Sequence, residues 1–280
     1  MKSEKTWKSP NEKISMSDPM KKERVRHVHG DDLMAAHFRL QIEAPAEESG
    51  RVRSVCEEFF EEIRRLESFL SRFMEDSDVS RINRLCAGES AVISQETFQC
   101  LSAAVEASRL TDGHFDVAYR SERPKGAKPA FTLFTCPHRV TAWTDGLDMD
   151  LGGIGKGFAL DYGSRILQAY GYDRALLCAG TSTILALSPP QDSQGWEIVL
   201  DLPVGRQTLR LANEAVSCSG KSVRGEHIFD IRSQSYTTKC HRAWVRAETA
   251  AMADAFSTAM MTMDSTDSAN FSAVINRSFY

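Results

Sequence analysis

No run of apolar residues in this 280-residue chain approaches the length of a bilayer-crossing helix, so a membrane span is not expected. No apolar stretch of about 7–15 residues follows the early lysines, so no signal peptide is recognisable and a cytoplasmic protein is expected. Basic residues are not in excess. Lys and Arg number 34 against 38 Asp and Glu, and the resulting net charge of -4 argues against nucleic acid as the main partner. The seven cysteines are odd in number, irregularly spaced and contain no C-x-x-C pair, so neither a zinc site nor a disulfide framework is indicated. Reduced, mostly buried thiols in a reducing compartment are expected instead. Internal repeats and low-complexity segments are also missing.

The usual nucleotide loops are absent too. A Walker A loop requires Ser or Thr after Gly-Lys, but Lys156 is followed by Gly157. A dinucleotide-binding G-x-G-x-x-G fails because Gly153-x-Gly155 leads to Phe158.

What is present is an ordinary globular composition, 42% hydrophobic and 26% charged. Residues 1–32 are polar and Lys-rich and read as a flexible tail; 33–280 read as a single domain. His37 to Ala44 alternates polar and apolar residues and predicts a strand, ended by Pro45. Val52 to Arg72 places Val52, Val55, Phe59, Ile63, Leu66 and Leu70 on one face of a long amphipathic helix. Ser94 is a candidate cap for a second helix reaching Leu110. Residues 121–130 read as a loop, and Val140 to Trp143 as a short strand. Strands follow at Arg174 to Gly180, Thr183 to Leu187, Trp196 to Leu202, Thr208 to Leu211 and Ala243 to Arg246, then an apolar helix from Met252 to Met263. Strand pairs mixed with helices predict α+β or mixed α/β rather than a regular βαβ array.

The most informative stretch is Asp150-Leu-Gly-Gly-Ile-Gly-Lys-Gly-Phe-Ala-Leu-Asp161. Phe158, Leu160, Ile166, Leu167 and Tyr170 roughly follow one face of a helix that starts there. Glycines let backbone N–H groups approach a ligand, a helix N-terminus favours anions, and Lys156 adds a cation. These features suit a phosphorylated ligand; a purely structural tight turn is the alternative.

The same stretch resembles the signature of the ApbE family, the FAD:protein FMN transferases, in which a segment such as Asp-Leu-Gly-Gly-Ile-Ala-Lys-Gly-Tyr-Ala-Val-Asp occurs. Other segments agree in the family's order. Asp76-Ser-Asp-Val-Ser-Arg-Ile-Asn83 resembles Asp-Ser-Glu-Leu-Ser-Arg-x-Asn, and Thr111-Asp-Gly-His-Phe-Asp116 resembles Thr-x-Gly-x-Phe-Asp. Ser217-Cys-Ser-Gly220 and His227-Ile-Phe-Asp230 are similar to Thr-Ser-Gly and His-Ile-Ile-Asp, and Asp254-Ala-Phe-Ser-Thr-Ala259 to Asp-Ala-Leu-Ser-Thr-Ala. The family's proline and glycine after His-Ile-Ile-Asp are replaced here, and the segment between Asp116 and Asp150 is shorter. The resemblance implies an ApbE-like fold with antiparallel or mixed sheets flanked by helices.

It also implies a site. Asp254 and Thr258 lie four apart and share one helix face, a spacing that suits a hard cation but equally an N-cap-like aspartate and a solvent-facing threonine. The resemblance implies that they hold Mg²⁺, with the Gly153 carbonyl completing the set and Ser257 as a weaker candidate. It implies FAD contacts at Met34, Phe73, His114, Phe115, Asp116, Asp150, Lys156 and Ile228. Core packing is the alternative for Phe73, Phe115 and Ile228. His227 is a candidate general base, since a neutral imidazole accepts a proton near pH 7; a structural histidine is the alternative. Asp161 is a candidate for holding the loop. The implied partners are FAD and a client flavoprotein with an acceptor threonine. Two other readings stay open: Mg²⁺-dependent FAD hydrolysis to FMN and AMP, and a non-catalytic FAD-binding protein.

Overall fold

The computed structural model describes residues 23–122, 129–202, 205–220, 229–230, 235–236 and 242–275. Strands β1 (Arg24–Leu33) and β2 (Ala36–Pro45) form a hairpin. A short 3-10 turn leads into α1 (Ser49–Leu70), α2 (Asp78–Ile82), β3 (Ser90–Val92) and α3 (Gln95–Leu110). Next come β4 (Phe131–Thr135), β5 (His138–Ala142), α4 (Gly155–Ala169), β6 (Ala175–Ala179) and β7 (Thr183–Ala186). The hairpin β8 (Trp196–Asp201) and β9 (Arg206–Leu211) precedes β10 (Glu214–Gly220), β11 (Phe229–Asp230), β12 (Ser235–Tyr236) and β13 (Arg242–Ala247). Helices α5 (Ala250–Met260) and α6 (Ser265–Ile275) close the described chain.

The main sheet runs β1-β2-β6-β7-β10-β13, every neighbouring pair antiparallel. One of its faces carries the helices. Phe38, Leu40 and Ile42 of β2 are fully buried in the same core as Val52, Phe59, Ile63 and Leu66 of α1. A second, smaller core joins Leu176 and Val216 of the sheet to Trp196, Ile198, Leu200, Leu209 and Leu211, so β8–β9 packs through its alternate residues. A three-stranded sheet, β3-β5-β4, completes an α+β architecture.

Residues 24–32, expected in the flexible tail, belong instead to β1. Their side chains alternate between exposed and half-buried because β1 is the sheet's edge strand. Polar residues at such an edge imitate a tail in the sequence. Among the six described cysteines, Cys56, Cys100 and Cys178 are buried. Burial pushes the Cys56 thiol up to about 12, which keeps it protonated and inert.

Two local devices aim chain at one end of the sheet. The β1–β2 turn has two residues, Met34 and Ala35, with φ of 50° and 55°. A two-residue hairpin turn of this kind favours Asn-Gly, and side-chain-bearing residues are strained in it. Ala35→Gly is therefore expected to raise stability by about 0.5–1 kcal/mol, read as a higher melting midpoint; a lower one would contradict the strain.

The second device is α2, only five residues long. Ser77 caps it by accepting from Ser80 N, and Asp78 is buried beside it. Burial by itself would raise the Asp78 pKa. The Ser94 hydroxyl and N–H, at 2.6 and 2.8 Å, the Thr97 hydroxyl at 2.7 Å and Arg81 outweigh it and hold the carboxyl below its ordinary value.

Candidate active site

A cleft of about 1040 Å³ opens at the β1–β2 turn. Ten of the candidate residues line it: Met34, Phe73, His114, Phe115, Asp116, Asp150, Gly153, Lys156, Asp254 and Thr258. His227 and Ile228 lie outside the described residues. Ser257, the weaker candidate, is fully buried; its hydroxyl bonds the Asp254 carbonyl at 2.9 Å and meets Ser219 at 2.9 Å.

Asp254 is neither a helix cap nor exposed. It sits inside α5, 3% exposed, and polar groups converge on its carboxylate. Gly157 N donates at 3.2 Å to one oxygen, and the Thr183 and Ser217 hydroxyls donate at 3.2 Å each to the other. The Lys156 ammonium lies 3.3 and 3.4 Å from the two oxygens and 3.1 Å from the Gly152 carbonyl. Beside it, the Thr258 hydroxyl meets Ser219 at 3.1 Å.

The glycine stretch acts differently from a phosphate loop. Asp150 accepts from Gly152 N at 2.8 Å, and the Leu151 carbonyl accepts from Ile154 N and Gly155 N at 3.0 and 2.7 Å. With Gly157 N directed to Asp254, most amides of this turn are engaged by the protein itself. The anion at the start of α4 is a side-chain carboxylate, as the helix dipole favours. The exchange is mutual. Asp161 of α4 accepts from Ala250 N and Ala251 N at the start of α5, both at 2.8 Å. Asp161 thus joins two helices rather than bracing the loop.

Burial drives the Asp161 pKa up to about 6, against the pull of those two amides. The folded state then holds its proton more tightly than the unfolded state. The stability this group contributes is complete below about pH 4 and is lost as pH rises through 6. Asp161→Asn removes that dependence. The stability difference, wild type minus variant, is expected to fall between pH 4 and 6.5 in paired urea titrations. A flat or rising difference would contradict the assignment.

Another wall is ionic. Arg72 Nη2 lies 2.7 Å from Asp148 and its Nη1 lies 3.4 Å from Asp150. Arg120 approaches the same carboxylates at 3.1 and 3.9 Å. Asn83 clamps the residue between them, donating to Met149 O at 3.1 Å and accepting from Met149 N at 2.7 Å. Phe73, at 90% exposure, is no core residue. Phe115 is 4% exposed and presses its ring edge on Gly153, where a Cβ would meet it at 3.1 Å. The His114 ring is buried, with Nδ1 at 2.8 Å from Thr262 Oγ1 and Nε2 at 3.2 Å from Asp267, so it is tied to the end of the chain.

The ApbE family model matches residues 34–123 and 128–277. The chain belongs to the ApbE family. Solved structures agree in fold. The flavin transferase ApbE from Vibrio cholerae superposes with a TM-score of 0.76 at 18% identity, covering 90% of this chain and 91% of that one. The Pseudomonas stutzeri flavinyl transferase ApbE, in its apo form, gives 0.75 at 22%, covering 89% and 88%. The ApbE protein of Thermotoga maritima gives 0.74 at 24%, covering 89% and 90%. Among curated proteins, no sequence matches.

Within this ApbE chain the cation question turns on donor chemistry. Among the described residues no group of three or more His, Cys, Asp or Glu side chains could hold a metal. What is assembled is one buried carboxylate paired with Lys156, and neutral oxygens beside it. The Thr258 hydroxyl lies 3.1 Å from where a Gly153 Cβ would stand, so glycine leaves that approach clear. Hard oxygen donors in small number fit Mg²⁺, which keeps waters and borrows phosphate oxygens.

Several site residues escaped the sequence reading. Thr183 is fully buried against Asp254, and no local pattern marks it. Ser217, Ser219 and Asn83 stand inside motifs that resemble the family's, yet their roles emerge only from partners far along the chain. Arg72, Arg120 and Asp148 carry no signal beyond charge. No helix among the described residues is long and apolar enough to cross a membrane.

Proposed function

We propose that this chain is an Mg²⁺-dependent FAD:protein FMN transferase. It moves the FMN moiety of FAD to a threonine hydroxyl of a client flavoprotein and releases AMP. One observation carries the reading: the convergence of Lys156, Gly157 N–H, Thr183 and Ser217 on buried Asp254, in the wall of a cleft large enough for a dinucleotide. Family membership and the names of the structural neighbours support it.

In this reading the flavin end meets Met34, Phe73 and Phe115, and the pyrophosphate lies toward Lys156. Asp254, Thr258 and the Gly153 carbonyl would hold Mg²⁺, which supplies charge neutralisation to a phosphoryl transfer. The threonine oxygen forms a bond to the FMN phosphorus as the bond between that phosphorus and the bridging oxygen breaks. AMP leaves with the electron pair. His227 takes the threonine proton. The buried hydroxyls of Thr183 and Ser217 keep the Asp254 carboxylate aimed, so its orientation is set before substrate arrives.

AMP release is the first test. The purified protein with FAD and Mg²⁺ is expected to release AMP when a threonine-bearing flavoprotein is added, and to stop on adding EDTA. AMP and free FMN without client would mark the hydrolase. FAD bound tightly with no AMP in either case would leave a flavin-binding protein.

A further inference from the structure

The Arg72 guanidinium makes three contacts in the cleft wall, to two carboxylates and to the neighbouring aromatic ring. Its Nη2 reaches Asp148 at 2.7 Å, its Nη1 reaches Asp150 at 3.4 Å, and its Cζ lies 5.9 Å from the centre of the Phe73 ring. Asp150 in turn fixes Gly152 N at 2.8 Å and so shapes the glycine turn that bears Lys156. Phe73 is 90% exposed, and the Arg72 guanidinium lies over its ring. The backbone under Arg72 is itself anchored: its carbonyl accepts from the Ser80 hydroxyl at 3.1 Å, and that of Ser71 from Ser77 at 2.6 Å. The Arg72 side chain is only 20% exposed, and Nη1 is shielded from water without a well-aligned hydrogen bond. A buried guanidinium donor in that state is costly unless its position serves a purpose.

We infer that Arg72 is a positioning residue that sets the aromatic side of the cleft in register with the glycine turn, so that a ligand spanning both is bound as one unit. The inference rests on the FAD reading above. Lysine cannot replace it, because a single ammonium lacks the planar fork needed to span two carboxylates while lying against a ring. Two subsites held in register favour a ligand that bridges them more than a fragment that fills one, since a lone subsite can relax around its own fragment.

The test compares three probes, FAD, FMN and ADP, by equilibrium dialysis with wild type, Arg72→Lys and Asp148→Asn. Arg72→Lys is expected to weaken FAD about tenfold while FMN and ADP each change by less than about threefold. Asp148→Asn loosens the same guanidinium, and Arg120 with it, at the far end while leaving Phe73 and Asp150 in place, and is expected to give the same pattern in smaller degree. It stands in should Arg72→Lys fail to fold by thermal melting. Equal losses for FAD and ADP would reduce Arg72 to a charge near phosphate and overturn the inference, as would unchanged FAD affinity. Wild type that fails to bind FAD would overturn the functional reading itself, and this inference with it.

Discussion

Asp254→Asn is expected to lower Mg²⁺-dependent AMP release by about a thousandfold or more, the scale of losing several kcal/mol of charge stabilisation. Asparagine keeps the shape, and its one oxygen accepts either from Thr183 and Ser217, whose hydroxyls lie 3.2 Å from the carboxylate, or from Gly157 N. What it removes is the charge at the α4 start, next to Lys156 at 3.3 Å. The amide places either an oxygen or an NH₂ toward Gly157 N, and neither bears the charge that cation and helix start favour. Asp254→Ala would also strip partners from buried donors, at about 1–3 kcal/mol for each one left unsatisfied, and confuse folding with chemistry. Asparagine is therefore the informative variant. Turnover close to wild type, in protein that melts normally, would sink the metal assignment.

Gly157→Ala should prevent stable folding, with an expected loss above about 3 kcal/mol. A Cβ there would stand 2.1 Å from the Ala250 carbonyl oxygen and 2.7 Å from Ala251 N. Both are backbone atoms at the start of α5, pinned by Asp161. Nothing flexible can give way, so α4 and α5 must separate and both shared carboxylates lose their partners. Gly155→Ala is the control. Its Cβ would meet only the Met34 side-chain tip at 3.5 Å and Leu151 Cβ at 3.8 Å, ordinary contact. At a helical position it is expected to gain up to about 1 kcal/mol. Urea midpoints of the two variants decide the matter. Comparable stability for both would contradict the close crossing.

The elements that were legible had strong local patterns. Strand β2 shows in its alternation, α1 in its stripe from Val52 to Leu70, and α3 in Ser94, which accepts from Thr97 N as a cap. Strand β1 was not legible because an edge strand of Arg, His and Val with half-wet faces lacks a clean period. Helix α2 was too short to show one and depends on Asp78, whose partners lie sixteen and nineteen residues away. Strand β10 was missed because Ser217 and Ser219 turn hydroxyls into the site where apolar residues would have marked a strand.

The site divides in the same way. The glycines and Lys156 announced an anion site, and the structure places an anion there, but it is Asp254 from a helix about a hundred residues later. Periodicity cannot reveal which carboxylate answers which amide. The motif resemblance located the lining residues because it carries the spatial memory of a fold. It carried no word of Arg72 or Arg120, whose meaning lies wholly in Asp148 and Asp150.

The most direct measurement of the central claim is the intact mass of a threonine-bearing flavoprotein client after incubation with this protein, FAD and Mg²⁺. The account predicts a gain of one FMN moiety, lost with Asp254→Asn and lost when the client's acceptor threonine becomes alanine. A client of unchanged mass beside stoichiometric AMP and free FMN would contradict it and make the enzyme a hydrolase.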